Sequence, residues 1–271
     1  MHYEDLSQQP TRRAATETVL SVCPAGVLES TVIVPKTLHS GRPLLALHGI
    51  SRNAAEVSEA LADAAEAAGR VVVVPHFRAD SWPVFQRITR RARPDKTLLA
   101  LLATLRAMDT SFQGPVDCFG FSGGAQLAHR FAMLYPEAIG DLHLGAAGWY
   151  TLPDTSVAYP YGMAECREKP ESWSRLMRSG LRAFLQRRIT VYVGEEDTRR
   201  DASLRQNSLV DERQGLNRRE RAWRYVGCVN ERQAALGLPC TAELQLLPGC
   251  DHDFATCAAR GDLAQRVLKQ A

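Results

Sequence analysis

The stretch Gly120-Phe121-Ser122-Gly123-Gly124 constrains this chain more than any other. An apolar run over 116–121 leads into it, and a helix-like stretch over 126–135 follows. Strand, sharp turn and helix with a serine at the apex is the G-x-S-x-G nucleophile elbow. Such a turn lifts the serine oxygen clear of the sheet. It also brings strand and helix so close that side chains at Gly120 and Gly124 would crowd them. The pentapeptide alone is a weak pattern, because glycine and serine meet by chance in turns. The strand before it and the helix after it give it weight.

The rest of the chain alternates in the same way. Apolar or β-branched runs at 31–35, 44–47, 71–74, 116–121, 142–147, 189–193 and 241–247 read as strands, with a partner strand or turn at 26–30. Residues 54–68, 96–108, 126–135, 174–186, 217–236 and 255–269 read as helices. Asn53 or Ser51 caps the first helix and Gly69 closes it. The first two dozen residues carry little pattern, 76–93 are irregular, and 198–213 are dominated by charge. No repeat and no Gly/Ser-rich linker interrupts the alternation. It predicts one α/β domain over 1–271, with a mainly parallel central sheet of about seven or eight strands and helices on both faces. In such sheets sites form at the C-terminal ends of the strands. His48-Gly49, Ser122, Asp197 and His252 all fall there.

Bulk properties narrow the classes. A chain of 271 residues that is 45% hydrophobic buries a full core, and a formal net charge of +3 gives no reason to expect nucleic acid or a membrane as partner. The arginine-rich run at 87–93 reads as a solvated face. No apolar stretch approaches the ~20 residues of a membrane span. Residues 1–13 are polar and mixed in charge, without the apolar core of a signal peptide, so a cytoplasmic location is expected. The seven cysteines show neither a C-x-x-C pair nor zinc-finger spacing. Cys118 reads as a small core residue. Cys228, Cys240, Cys250 and Cys257 crowd the C-terminal part, where a disulfide or a metal stays open against the default of reduced thiols.

A serine hydroxyl is a poor nucleophile near neutral pH and needs a base, which in turn needs an acid to fix its tautomer. In the elbow arrangement the chain order is Ser, then Asp or Glu, then His. After Ser122 only His129, His143 and His252 remain. The first lies on the elbow helix and the second inside a strand, so His252, in a loop after the last strand, is the candidate base. Asp197, three residues past Gly194 at the end of the strand 189–193, is the candidate acid, with Glu195, Glu196 and Asp201 as rivals. Asp251 and Asp253 flank the histidine too closely to face its ring. Acyl transfer also needs donors for the oxyanion. The N–H of Gly123 is one, and the N–H of Ile50 is the choice for the other, with Ser51 as rival. His48 then bonds the loop backbone and is not the base.

These residues resemble the α/β-hydrolase superfamily: His48-Gly49 after one strand, the elbow, Gly194-x-x-Asp197, and His252 last. The resemblance spans roughly 30–270. Within the superfamily the chain looks most like polyhydroxybutyrate-depolymerase-like proteins and small bacterial carboxylesterases. That likeness rests on the Leu-His-Gly-Ile opening at 47–50, Ser122-Gly123-Gly124, Trp149-Tyr150-Thr151 and Tyr159-Pro160-Tyr161-Gly162. It implies a serine esterase that works without metal or organic cofactor on a small or oligomeric soluble ester. With neither a signal peptide nor a substrate-binding domain recognisable, a soluble ester or oligomer is expected rather than the extracellular polymer of a secreted depolymerase.

Residues 149–186 sit where this fold places a lid or pocket wall, and a packed surface excursion is an equal reading. Trp149 and Tyr150 are expected to bind substrate from that side, and Trp82, with Phe85, from the opposite one. Arginines 199, 200 and 205 follow Asp197 and admit an anionic substrate group. Two alternatives stay open: an amidase or peptidase with the same triad, and a hydrolase-fold binding protein without catalysis. A homo-oligomer is also left open.

Overall fold

Three strands buried along their whole length, over 44–47, 116–121 and 189–194, set the centre of the molecule; the first is apolar throughout, and the other two each carry a single polar residue, Asp117 and Thr190. The structure is a computed structural model that describes residues 15–23, 26–39, 41–165 and 173–269. The leader reading at 1–13 lies outside it, as do 166–172 of the aromatic excursion.

In chain order the elements are β1 (Ala15–Cys23), β2 (Gly26–Val34), β3 (Leu44–Leu47), α1 (Ala54–Ala68), β4 (Val72–His76), α2 (Pro94–Met108) and β5 (Val116–Phe121). Then follow α3 (Gly123–Leu134), β6 (Ile139–Gly145), α4 (Trp173–Ser179), α5 (Leu181–Leu185), β7 (Ile189–Gly194), α6 (Ser208–Gln214), α7 (Arg218–Ala235), β8 (Ala242–Leu247), α8 (Phe254–Ala259) and α9 (Leu263–Leu268). Among the described residues eight strands form one sheet, in the order β1-β2-β4-β3-β5-β6-β7-β8. β1 and β2 pair antiparallel, and β2 pairs antiparallel with β4; every other pair is parallel. This is the mainly parallel α/β sheet expected from the alternation. The crossovers from β3 to β4 and from β4 to β5 place β5 beside β3, so Leu47 pairs with Gly120 and the two loops that follow meet.

The differences from the sequence reading have local causes. β1, hidden in a stretch without pattern, pairs residue for residue with β2, which runs unbroken through 26–34. The helix expected over 174–186 divides at Gly180, and the one over 255–269 divides at Gly261-Asp262, where Asp262 takes a φ of 51°. The charged stretch 198–213 leads into α6, capped by Asn207, whose side chain accepts from the N–H groups of Leu209 and Val210. No helix among the described residues is long and apolar enough to cross a membrane.

Candidate active site

The elbow is where the sequence and the backbone meet most tightly. α3 starts at Gly123, three residues earlier than expected, so Ser122 is the hinge between β5 and α3. Its φ of 51° and ψ of −111° hold it in a sparsely populated region, a strain on the order of 1–3 kcal/mol. Hydrogen bonds on both sides hold it there: Ser122 N–H donates to Gly145 O at 2.7 Å, and Gln126 N–H donates to Ser122 O at 3.2 Å. The two flanking glycines are required by packing. A Cβ at Gly120 would stand against the backbone of Gly124, and one at Gly124 against the carbonyl of Leu47.

His252 lies in the loop after β8 and bridges the other two residues. Its Nδ1–H donates to Asp197 Oδ2 at 2.9 Å, and its Nε2 accepts from Ser122 Oγ at 3.1 Å, the tautomer following from these partners. The imidazole stacks on Phe121, with centroids 5.4 Å apart and planes at 20°. Asp197 is buried after β7, whereas Glu195 and Glu196 are exposed. Asp251 is half-buried, and Asp253 caps α8 by accepting from Thr256 N–H at 2.7 Å. His129 is spent on backbone bonds to Ala125 and Thr151, and His143 on the Tyr192 hydroxyl.

Behind the acid stands a residue that the sequence did not single out. Arg218, 1% exposed at the first turn of α7, reaches Asp197 Oδ1 at 3.4 Å and Asp201 Oδ2 at 2.6 Å. Asp201, a rival acid by sequence, is thus engaged away from the histidine. Its hydrogen bonds from Arg218, reinforced by those from Ser203, hold its carboxyl well below the usual carboxylate range.

The loop after β3 supplies the facing wall. His48 Nδ1–H donates to Gly49 O at 2.8 Å, and its Nε2 accepts from Phe77 N–H at 3.0 Å. Burial pushes its pKa down to about 4, so it is a neutral strut. Asn53 stands at the N-cap position of α1 as expected, but its side-chain oxygen accepts from Gly49 N–H at 3.1 Å rather than from the helix. Ile50 N comes within 3.3 Å of where a Gly123 Cβ would stand. The Gly123 N–H belongs to the first turn of α3, where a helix leaves its donors without intrahelical partners. Ile50 and Gly123 are therefore neighbours beside Ser122. A cavity of about 400 Å³ opens over it, lined by Ile50, Ser51, Ser122, Ser203, His252 and Phe254 among others.

Two expected substrate contacts are corrected. Tyr150 is fully buried, stacked on Tyr225 at 4.2 Å, and its backbone is clasped by Gln214. Trp82 is 3% exposed and packs edge-on against Phe77, while its carbonyl accepts from Arg52. Both stabilise loops from within, and neither lines the cavity over Ser122. Trp149 lines a second cavity with residues of the 158–161 turn. Cys118, Cys228, Cys240, Cys250 and Cys257 are free thiols, and no group of three or more metal-binding side chains occurs among the described residues.

The whole arrangement has known relatives in shape. Poly(aspartic acid) hydrolase-1 from Sphingomonas sp. KT-1 superposes with a TM-score of 0.77 at 21% identity, covering 95% of this chain and 98% of that one. A poly(3-hydroxybutyrate) depolymerase from Bordetella parapertussis gives 0.76 at 23%, covering 94% and 88%. The chain has the α/β-hydrolase fold. A fluorophosphonate-binding serine hydrolase from Staphylococcus aureus shares that fold at a TM-score of 0.60 and 12% identity, over 95% and 99% of the two chains. No protein-family model and no curated protein matches the sequence.

Proposed function

We propose that this α/β-hydrolase-fold chain is a serine hydrolase that cleaves carboxylic esters of small or oligomeric soluble substrates. The observation that carries the reading is His252, within hydrogen-bond distance of Ser122 Oγ on one side and Asp197 on the other. In this mechanism Ser122 Oγ attacks the ester carbonyl while His252 Nε2 takes its proton. Asp197 holds the ring in the Nδ1–H tautomer and stabilises the imidazolium. The N–H groups of Gly123 and Ile50 receive the oxyanion. His252 then returns the proton to the departing alkoxide. A water, deprotonated by the same histidine, releases the acid from the acyl-enzyme.

The open cavity over Ser122 supports a substrate that approaches from solvent. Structural neighbours named for poly(3-hydroxybutyrate) and for poly(aspartic acid) support oligomeric chains as the class. The second of these polymers is amide-linked, which favours amide cleavage as the rival reading. Reaction with a fluorophosphonate probe tests the nucleophile: a stable adduct mapped to Ser122 is expected, and folded protein that stays unlabelled refutes the reading. Turnover of an ester and an amide of one acyl group separates the rivals. Amide rates equal to ester rates would replace the esterase by an amidase.

A further inference from the structure

Along α3, four and eight residues past Ser122, lie Gln126 and Arg130 on one face of the helix. Arg130 is 1% exposed, and no carboxylate pairs with it among the described residues. Its Nε donates to Thr151 Oγ1 at 3.0 Å, and its Nη1 donates to the carbonyls of Gln86 and Gln126 at 2.8 and 2.9 Å. Its Nη2 is buried with no hydrogen-bond partner, as are the side-chain amide oxygens of Gln86 and Gln126. Desolvation lowers its pKa to about 10, which still leaves it cationic at neutral pH. A buried cation with a donor unspent is costly to keep unless something pairs with it.

The guanidinium lines a cavity of about 240 Å³. Arg87, Trp149, Tyr159, Tyr161 and Arg205 complete the part that matters here. Trp149 covers the guanidinium face, its ring 3.9 Å from Arg130 Cζ. Arg205 donates from Nε to the Tyr161 hydroxyl. Three arginines therefore converge on one small, aromatic-walled space, and among the described residues no acidic side chain lines it. This cavity and the one over Ser122 share no lining residue, but they are built from neighbouring positions of the same segments. Gln86 touches both Arg130 and the space at Gly123, and Ser203 lines the cavity over Ser122 two residues before Arg205.

We propose that this cavity is a carboxylate subsite, and that the ester substrate of the serine-hydrolase reading, on which this inference rests, ends in a free carboxylate held there by the combined positive charge of Arg87, Arg130 and Arg205. Eight residues of helix separate Ser122 from Arg130, about 12 Å at 1.5 Å per residue. A hydroxyacid unit is slightly longer than the ~3.5 Å reach of an amino-acid residue, so roughly two to three ester-linked units bridge the two points. The enzyme then removes a short acidic fragment from the carboxyl end of an oligoester. Arg205 and Arg87, exposed at the rim, draw the anion in and can hydrogen-bond it, and the buried charge of Arg130 behind them holds it.

Binding to the Ser122→Ala protein tests this, with the 3-hydroxybutyrate tetramer as free acid and as methyl ester, measured by calorimetry. The free acid should bind at least about tenfold more tightly. Arg130→Met in the same background should bring the two ligands within about twofold, and Arg205→Gln should reduce the ratio severalfold. The second variant changes an exposed side chain and keeps the test valid if the first does not fold. Equal affinities in the Arg130-containing protein, or no measurable binding of the acid, overturn the subsite. Hydrolysis of p-nitrophenyl acetate by the wild type reports separately on the serine. If it proceeds while the ligands bind equally, the subsite alone fails; if it is absent, the esterase reading fails whatever the binding shows.

Discussion

Two buried arginines stand on either side of the candidate site, and they are solvated by the protein in opposite ways. Arg218, 1% exposed, has two carboxylates of its own, Asp197 and Asp201. Arg130, equally buried, has carbonyls, a hydroxyl and an indole face but no carboxylate. A guanidinium with its counter-ions in place completes a network and holds it. One without them keeps an attraction for an anion that comes from outside. Each guanidinium keeps one buried nitrogen without a hydrogen-bond partner, Arg218 Nε and Arg130 Nη2, so what separates the two ends is the counter-ion: the reacting end has it and the far cavity does not.

The first way to sharpen that contrast is to remove the chemistry and keep the binding. Ser122→Ala should lower kcat for p-nitrophenyl acetate by roughly 10⁴–10⁶, because the covalent step is gone. It should leave the affinity for a carboxylate-ended oligoester where it was. A variant that kept its rate would dissolve the reacting end altogether.

Stability separates the arginines next. Arg218→Met leaves Asp197 facing Asp201 without their shared cation, and a loss of about 3–5 kcal/mol is expected. Arg130→Met gives up neutral partners but also relieves an uncompensated charge, so its loss should stay near 1 kcal/mol or less. Urea titrations of both variants measure this. Equal losses would break the comparison, since Arg130 would then be as structural as Arg218.

Acid should act on the reacting end through His48. Its folded pKa of about 4 lies below the unfolded value of 6.5, so the unfolded chain binds the proton more readily. The stability this group contributes is complete above pH 6.5 and is lost as pH falls toward 4, to about 3 kcal/mol if the shift is fully expressed. His48→Gln should flatten that part of the stability profile. A profile of unchanged slope would mean that His48 is not the group being protonated. His143, also lowered to about 4 by burial, adds a loss in the same direction and keeps some slope in the variant.

How much of this was legible from the chain depends on what each residue answers to. Ser122, Asp197 and His252 could be chosen because each follows a strand and their order is fixed by the path of the chain. The parallel sheet was legible because β3, β5 and β7 are short, mostly apolar runs with at most one polar or charged side chain each. Tyr150 and Trp82 were misjudged because an aromatic-rich segment does not reveal which ring turns inward. Arg218 and Arg130 were invisible as functional residues. What distinguishes them from the chain's other arginines is burial and partners, which come from packing across distant segments. One signal was available for Arg130: it repeats the Gln126 position one turn further along the helix that the elbow begins.

The smallest expected effect probes the join between Arg218 and the acid. Arg218 sits closer to Asp201, at 2.6 Å, than to Asp197, at 3.4 Å. The guanidinium is thereby engaged mainly by Asp201, and Asp197 Oδ2 is left to His252 Nδ1. Asp201→Asn removes that competition and shifts the attraction of Arg218 onto Asp197, which then stabilises the imidazolium less as it forms. The expected result is a fall in kcat of severalfold with KM unmoved, because the ground-state substrate touches neither residue. Asp201 is partly exposed, and its depressed folded pKa means that the stability it gives is present above the ordinary carboxylate range and fades as pH falls below it. Asp201→Asn should therefore also lose stability at neutral pH and converge on the wild type in strong acid. If kcat is unchanged while that stability is lost, Arg218 belongs to the scaffold rather than to the reacting end, and the contrast with Arg130 rests on burial and charge alone.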